Sequence, residues 1–270
     1  MLDPKKPFFQ ARLKHIWANE HINQLHLIWQ EFLKTDFCHL SVEDNPDGTG
    51  QSIRVTSVEP LPAELLLALG DAIHNLRCAL DYLVSELLGW KDTRLTFPMG
   101  EERDELVDSF RTQPEMVAGK TKGKGRNAAL EMAVVGIGEF IVNEIRPYKA
   151  ADGFLWALGK LDARDKHRLL IPVLVPQTIS GINAVDANGN GVWDCTVTIG
   201  PGGTSTPFGL GWGVKLQNYG KPTAEIFFNE VGIIESKRVF PTLFKMSQAV
   251  AETINRIEEF AIANGWSRPT

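Results

Sequence analysis

One segment of the chain, residues 70–82, concentrates ionisable side chains at the spacing of one helix face. Asp71, His74, Cys78 and Asp81 recur every three or four positions, with Arg77 beside Cys78. The opposite face carries a set of leucine and isoleucine residues, namely Leu69, Ile73, Leu76, Leu80, Leu83 and Leu87. Such a helix packs its apolar face on a core. The pattern therefore predicts an amphipathic helix whose polar face carries an active or binding site.

The polar face of this helix combines an acid, a base and a guanidinium. Histidine exchanges protons near neutral pH or binds a metal through one ring nitrogen. Asp71, three residues before His74, could orient the imidazole or share that metal. Arg77 could bind an anion or neutralise Asp81. The alternative is an ion-pair network that only holds helices together.

A second charged segment, Leu161–Arg168, lies at a predicted junction between a helix and a strand. Lys166, His167 and Arg168 suit a helix C-terminus, whereas Asp165 opposes the helix dipole there. Asp165 therefore needs a cationic partner or a functional task. The simpler interpretation is that the basic residues cap carbonyl groups and that Asp162 pairs with Lys166.

We expect the two segments to converge in one polar pocket between helices. The expected catalytic residues are His74, His167, Asp71 and Asp165. The expected substrate-binding residues, which would hold an anionic small molecule, are Arg77, Arg168, Lys166 and Asn75. If a divalent ion (zinc, manganese, iron or nickel) is the cofactor, its expected ligands are His74, His167, Asp71 and Asp81.

The elements that must position these residues follow from hydrophobic periodicity. Helices are predicted from about Phe8 to Lys34, from Pro62 to about Gly89, over 101–110, 127–146 and 153–166, and from Pro241 to before Gly265. A hairpin is predicted over 37–58, and strands over 170–175, 182–186, 192–199, 213–217 and 224–229. The predicted fold is α+β: a bundle of about four long helices with a small antiparallel sheet inserted before the last helix.

The expected domain organisation is one α+β domain over 1–270, helical over 1–168 and 239–266, with the β-rich insertion at about 169–230. Trp17, Trp29 and Phe32 on the first helix would belong to the core or to an interface between copies of the chain. A basic loop over 119–126 could close over a site. The DxNxNG pattern at Asp186 has Val197 in place of the twelfth-position glutamate of a calcium loop, and predicts a hairpin turn.

Composition argues against several classes of protein and partner. The formal net charge of −5 provides no positive field for nucleic acid, so nucleic acid is a disfavoured partner. Three cysteines without CxxC spacing argue against a disulfide framework and for reduced thiols in a cytoplasm. The chain has neither an apolar leader at its start nor a stretch of about 18 apolar residues, so we expect no membrane partner.

The segments GDAIHNLRCALDYL and LDARDKHRLL resemble a family of uncharacterised bacterial and phage-associated proteins that carry a GDxxHNLRSALDHL-type helix and a DKHR segment. The resemblance covers about a tenth of the chain and implies that the two segments belong together. It supplies no reaction. The family-type helix is also similar to the Rx4-6H signature of HEPN ribonucleases. Here Tyr82 stands five residues after Arg77, and tyrosine, with an ordinary pKa of about 10, is a poor base near neutrality.

The sequence therefore predicts a hydrolase-like enzyme in which a carboxylate-supported histidine activates water, directly or on a metal. Two alternatives stay open. One is a protein without catalytic activity that binds a ligand or a partner and whose charged centre is structural. The other is a HEPN-like, metal-independent ribonuclease.

Overall fold

The computed structural model describes residues 3–44, 46, 51–89, 96–110, 127–151, 153–186, 188–200 and 215–267. Its elements follow the chain in the order α1 (Phe9–Phe32), β1 (Cys38–Asp44), β2 (Gln51–Val58), α2 (Ala63–Leu87), α3 (Arg103–Phe110), α4 (Ala128–Ala133), α5 (Ile137–Phe140), a π-helical turn (Ile141–Ile145), α6 (Phe154–Asp165), β3 (Val173–Val185), β4 (Gly191–Thr198), β5 (Lys215–Glu230), β6 (Ile234–Arg238) and α7 (Val239–Ala263). The α+β class is confirmed. The predicted basic loop over 119–126 lies outside the described residues.

Helix α2 is the central element, because it packs against α1, α6 and α7. Pro62 precedes its first turn, where a missing N–H is tolerated, and the helix ends at Leu87 as its periodicity predicted. The whole predicted apolar face of α2 is buried. On α1, Trp29 and Phe32 also belong to the core, whereas Trp17 is 55% exposed. The polar stripe of α2 is thereby left along the flanks where α1 and α6 approach.

The predicted long helix over 127–146 is wrong. The chain forms the short helices α4 and α5 followed by the π-helical turn. The break begins at Val134, which is extended, and includes Gly136, whose φ of 81° is a left-handed conformation that helices do not continue through. Glu131 accepts hydrogen bonds from the N–H groups of Gly136 and Gly138 and stabilises the break. Among the described residues, three long helices, α1, α2 and α7, therefore stand in place of the four of the predicted bundle.

The described strands form two antiparallel sheets rather than the single small sheet expected. The hairpin β1–β2 is confirmed, and a second sheet has the order β4-β3-β5-β6. Segments predicted as four separate strands are the long strands β3 and β5, which pair along most of their length. Pro176 and Gly181, which read as turn signals in the sequence, lie inside β3 next to shifts of register. Strand β6 was not predicted, since four of its five residues are exposed and mostly charged.

The predicted hairpin turn at Asp186 is confirmed. The Asp186 N–H donates to the Asn190 carbonyl oxygen at 2.8 Å, and the turn that this bond closes joins β3 to β4.

Most buried apolar residues form one core that includes the long helices and Ile226, Phe228 and Ile234 of the sheet. Within the described ranges, no helix has both the length and the apolar character that crossing a membrane requires.

Candidate functional site

The polar stripe of α2 is flanked by side chains from two other helices. On one side, Lys14 of α1 donates to the Asn75 amide oxygen at 3.0 Å. On the other side, Asp162 of α6 contacts His74, and Lys166, just after the end of α6, contacts Asp162. The two charged segments predicted to converge therefore do so, but through Asp162 rather than through the catalytic aspartates expected from the sequence.

Asp162 orients the His74 ring. The His74 Nδ1 and Asp162 Oδ1 atoms are 2.8 Å apart, and the second carboxylate oxygen of Asp162 accepts from Lys166 Nζ at 2.7 Å. The Asp162 side chain is 6% exposed and that of His74 is 47% exposed. An ionised carboxylate can only accept, so His74 donates its Nδ1–H and keeps a lone pair on Nε2. His74 is thereby set up as an accessible base with a fixed ring orientation.

The thiol of Cys78 lies at the free nitrogen of that base. Its Sγ atom is 3.4 Å from His74 Nε2, because the two residues are one helical turn apart on α2. Burial raises the pKa of the Cys78 thiol, an effect that Lys14 and Lys166 oppose and that Asp81 and Asp162 reinforce. A thiol with a raised pKa needs a base to become a nucleophile, and His74 occupies that position.

Arg77 is directed to the other side of α2. It is 8% exposed, pairs with Asp81 at 2.8 Å, and donates to the Phe97 carbonyl oxygen at 3.1 Å and to the Met99 sulfur at 2.9 Å. Burial raises the pKa of the Asp81 carboxyl, while Arg77 and the Phe97 N–H oppose the rise. With these partners Arg77 fastens residues 97–99 to α2, and its expected role as an open anion clamp finds no support in this geometry.

A cavity of about 460 Å³ lies on the Arg77 side of Asp162. Arg77, Asp81, Asp162 and Lys166 contribute to its wall together with Phe97, Met99, Glu101, Trp156 and Lys160. His74 and Cys78 are not among its lining residues. Asp162 is therefore shared by the cavity and by the His74–Cys78 pair.

Asp71 and Asp165 do not support His74 directly. Asp71 is exposed, and its carboxylate lies 4.0 Å from His21 Nδ1 of α1. The Asp165 carboxylate packs against Gly70, and its buried Oδ1 atom has no hydrogen-bond partner among the described residues. Burial raises the pKa of Asp165, a hydrogen bond from the Leu170 backbone opposes the rise, and the charges of Asp162 and Asp71 add to it. The carboxylate that contacts His74 is therefore Asp162, and neither of the two aspartates expected from the sequence.

The last residues of the second charged segment, His167 and Arg168, form no hydrogen bond or ion pair with His74 or Asp162. Arg168 pairs with buried Glu230 of β5 at 2.9 Å, and Arg164 contacts the same carboxylate. His167 is exposed, and its ring makes no hydrogen bond or ion pair with any residue that the structure describes. Both side chains had been expected at the site.

The four expected metal ligands are not brought together. His74 contacts Asp162 and Cys78, Asp81 contacts Arg77, and Asp71 and His167 are exposed. In the described part of the chain, no three side chains of the His, Cys, Asp and Glu types are grouped so that they could hold a metal ion. The predicted metal site therefore receives no support from the arrangement of these residues.

Three functional candidates were missed or misjudged in the sequence. Asp162 was interpreted as the i,i+4 partner of Lys166, and the structure confirms that pair at 2.7 Å, but its contact with His74 was missed. Cys78 was noted only as part of the stripe. The four-residue spacing of His74 and Cys78 was a usable signal, since it places thiol and imidazole on one face. Lys14 had no signal, because only the packing of α1 on α2 brings it to the site.

Comparison of the chain with protein-family models, with curated protein sequences and with solved structures found no match in any of the three. The resemblance of the two charged segments to a bacterial and phage-associated family stays a prediction. The pair that resembles the HEPN signature does not share a site here. Arg77 contacts residues 97–99, whereas the Tyr82 ring lies under Lys14 of α1, at 5.9 Å from the ring centre to Nζ.

Proposed function

We propose that this protein is a cysteine-dependent hydrolase in which Cys78 is the nucleophile, His74 the general base and acid, and Asp162 the positioning residue. The observation that supports it is the uninterrupted series of contacts from Cys78 Sγ to His74 Nε2 and from His74 Nδ1 to Asp162 Oδ1. A nucleophile, a base and a buried group that fixes the base are the parts that covalent acyl transfer requires.

The proposed reaction has two steps. In the first, the Cys78 proton moves to His74 Nε2 as the sulfur bonds to the substrate carbonyl carbon, and the leaving group departs with that proton. In the second, water attacks the resulting thioester, gives its proton to His74, and the acid product leaves with the Cys78 thiol restored. Asp162 stabilises the transient imidazolium without becoming protonated.

This proposal keeps the hydrolase class and the carboxylate-supported histidine expected from the sequence. It replaces direct activation of water by a covalent first step, and it uses Asp162 in place of Asp71 and Asp165. The reaction needs a reduced thiol, and the three cysteines are free in the structure. A reducing cytoplasm, the location we propose, would keep the thiol in that form.

The test is a burst experiment with activated acyl substrates. Wild-type protein mixed with p-nitrophenyl acetate should release a burst of about one nitrophenolate per chain and form an acyl adduct on Cys78 that mass spectrometry locates. Cys78→Ala should abolish the burst, and His74→Gln should slow it by about 10²–10⁴-fold, the usual contribution of a general base. Cys195→Ala, which removes another partly buried thiol, is the matched control and should leave the burst intact.

A wild-type protein with neither burst nor adduct across acetyl esters, thioesters and anilides would contradict the proposal. The burial of Asp162 in contact with His74 and Lys166 would then favour the structural network. That network predicts a loss of about 1–3 kcal/mol of stability in Asp162→Ala, since the change removes the buried carboxylate that contacts both His74 and Lys166. Metal-free cleavage of RNA that persists in Cys78→Ala and is lost in Arg77→Lys would instead favour the ribonuclease.

A further inference from the structure

Lys14 reaches the polar stripe of α2 from α1 and is held there by uncharged groups. Its Nζ atom donates to Asn75 Oδ1 at 3.0 Å and lies 5.9 Å from the centre of the Tyr82 ring. Asn75 is 6% exposed, and its Nδ2 donates to the Asp71 carbonyl oxygen at 2.8 Å, which fixes the direction of Oδ1. The ammonium group is therefore positioned, and it is partly exposed.

Lys14 differs from the other cations near the site, because each of those is paired with a carboxylate. Lys166 pairs with Asp162, Arg77 with Asp81, and Arg168 with Glu230. Among the residues that the structure describes, no carboxylate lies within ion-pair distance of Lys14. An ammonium group has three donors, and the Asn75 oxygen uses one of them. Lys14 thus keeps a unit of positive charge and donor capacity available to a ligand.

Lys14 is also next to the proposed nucleophile. Its two contacts, Asn75 and Tyr82, stand three residues before and four residues after Cys78, and such residues are neighbours on one helix face. A group that touches both lies over the turn that carries the thiol. The charge of Lys14 opposes the rise that burial causes in the pKa of Cys78, ahead of the similar effect of Lys166.

From this placement we infer that Lys14 is an anion-binding residue of the Cys78 site, and that the substrate is a small acyl compound with a carboxylate group near the carbonyl carbon that the thiol attacks. The inference rests on the proposed function and names its substrate class. One uncompensated ammonium balances one negative charge, so a monoanionic carboxylate fits better than a doubly charged phosphate ester. The anion-binding role expected of Arg77 and Arg168 belongs in this inference to Lys14.

The test compares two reagents that differ in charge and alkylate thiolates by the same reaction, in which a sulfur–carbon bond forms and iodide leaves. Iodoacetate carries a carboxylate and iodoacetamide does not. Both rates depend in the same way on the fraction of the thiol that is ionised, so this fraction drops out of their ratio. The ratio at one thiol therefore reports how strongly its surroundings favour an anionic reagent. Peptide mass spectrometry follows Cys78 and Cys195 separately in the same sample, so that Cys195 is an internal reference.

We expect the iodoacetate-to-iodoacetamide ratio to be higher at Cys78 than at Cys195 in the wild type. Lys14→Met should lower the ratio at Cys78 about fivefold, the size of a unit-charge interaction near contact distance in water. Lys14→Arg should keep most of the ratio, and the ratio at Cys195 should not change. Lys34→Met removes an exposed lysine beyond the C-terminal end of the same helix and is the control.

Added sodium chloride should lower the ratio at Cys78 in the wild type, a measurement that needs no variant to fold. An equal ratio at the two cysteines, or one that Lys14→Met leaves unchanged, would overturn the inference. A Cys78 that reacts with neither reagent in the folded protein would overturn it as well. The outcome is separate from the burst experiment, because alkylation requires a reachable thiol and no hydrolytic turnover.

Discussion

Asp162 and Asp165 are three positions apart on α6, and the surroundings of their carboxylates suit them to different roles. Asp162 is buried, and both of its oxygens contact cationic or proton-donating groups, His74 and Lys166. Asp165 has a buried oxygen without a partner among the described residues and a raised pKa. A carboxylate that orients a base has to be ionised and satisfied, so Asp162 fits that task and Asp165 does not.

At the residue scale, we predict that Asp165→Asn stabilises the protein near neutral pH. The raised pKa of Asp165 means that the folded chain binds this proton more tightly than the unfolded chain. The stability associated with that proton is present below the unfolded pKa of about 3.9 and is lost as the pH rises through the folded value. Asparagine removes this loss and keeps the shape of the side chain, so the free energy of unfolding should rise by about 1 kcal/mol at pH 7.

Urea unfolding of wild type and Asp165→Asn at about pH 7 and about pH 3 measures this effect, because the advantage should disappear below the pKa of the unfolded aspartate. Asp71→Asn alters an exposed carboxylate whose nearest charged partner, His21, is 4.0 Å away, and it should stay within about 0.5 kcal/mol of wild type. A loss of stability in Asp165→Asn at neutral pH would show instead that the charge of Asp165 is needed.

At the element scale, the sequence predicted those helices whose apolar residues repeat over several turns. For α1, α2 and α7 the buried side chains repeat at helical spacing over more than twenty residues, and that signal survives a few polar interruptions. The predicted helix over 127–146 is wrong because the chain breaks it between Val134, which is extended, and Gly136, which is left-handed, while the hydrophobic periodicity continues across the break. Strands β3 and β5 were cut short because Pro176 and Gly220 act as turn residues in most sequences but lie within paired strands here.

The sequence could predict the part of the candidate site that lies on one helix, but not the part that depends on contacts between helices. Spacing on one helix is visible in the sequence, so His74, Cys78 and Asp81 could be placed together. Contacts between helices are not, because the rotation of α6 about its axis decides whether Asp162 or Asp165 reaches His74. Arg77 and Arg168 were expected to hold a substrate anion, and each has a carboxylate partner in the structure. Asp81 is one turn beyond Arg77 on the same helix and was visible in the sequence, whereas Glu230 is brought to Arg168 only by the tertiary fold.

The close approach of α2 and α6 at Gly70 gives a prediction at this scale. In an exposed helix interior, Gly→Ala gains about 1 kcal/mol. A Cβ atom on Gly70, however, would lie 2.7 Å from Asp165 Oδ2, closer than real Cβ atoms come to a neighbour. We therefore expect Gly70→Ala to lower the free energy of unfolding by about 1–3 kcal/mol, as overpacking does.

A double-mutant cycle assigns the cause of that loss. In an Asp165→Ala background the obstructing carboxylate is absent, so Gly70→Ala should become neutral or stabilising. Chemical unfolding of the four proteins gives the coupling energy, which should exceed the ~0.5 kcal/mol expected of independent sites. Additive effects would mean that another contact limits the approach of the two helices.

At the scale of the whole molecule, the hairpin β1–β2 connects the helices to the four-stranded sheet. It lies in the chain between α1 and α2, and its Ile53 is fully buried in a second, smaller core with Ile179, Ile182 and Val197 of the sheet. Gln51 Oε1 also accepts a hydrogen bond from the Leu216 N–H of β5 at 3.2 Å. The sheet is therefore attached to the helical core through Ile226, Phe228 and Ile234, and to the hairpin through Ile53.

Because the sheet is attached in these two ways, we predict that Ile53, which belongs to the hairpin and not to the four-stranded sheet, stabilises that sheet. Ile53→Ala removes a fully buried side chain from a small core, so the free energy of unfolding should fall by about 2–5 kcal/mol. Amide hydrogen exchange in β3 and β4 should accelerate before exchange in α2 does, because the second core contacts those strands and not that helix. Val58→Ala, on the same strand but 39% exposed, is the control and should change stability by less than about 0.5 kcal/mol. If Ile53→Ala changes the free energy of unfolding as little as this control does, the hairpin does not support the sheet. The larger core alone then holds the sheet in its place beside α6, next to the ion pairs of Glu230.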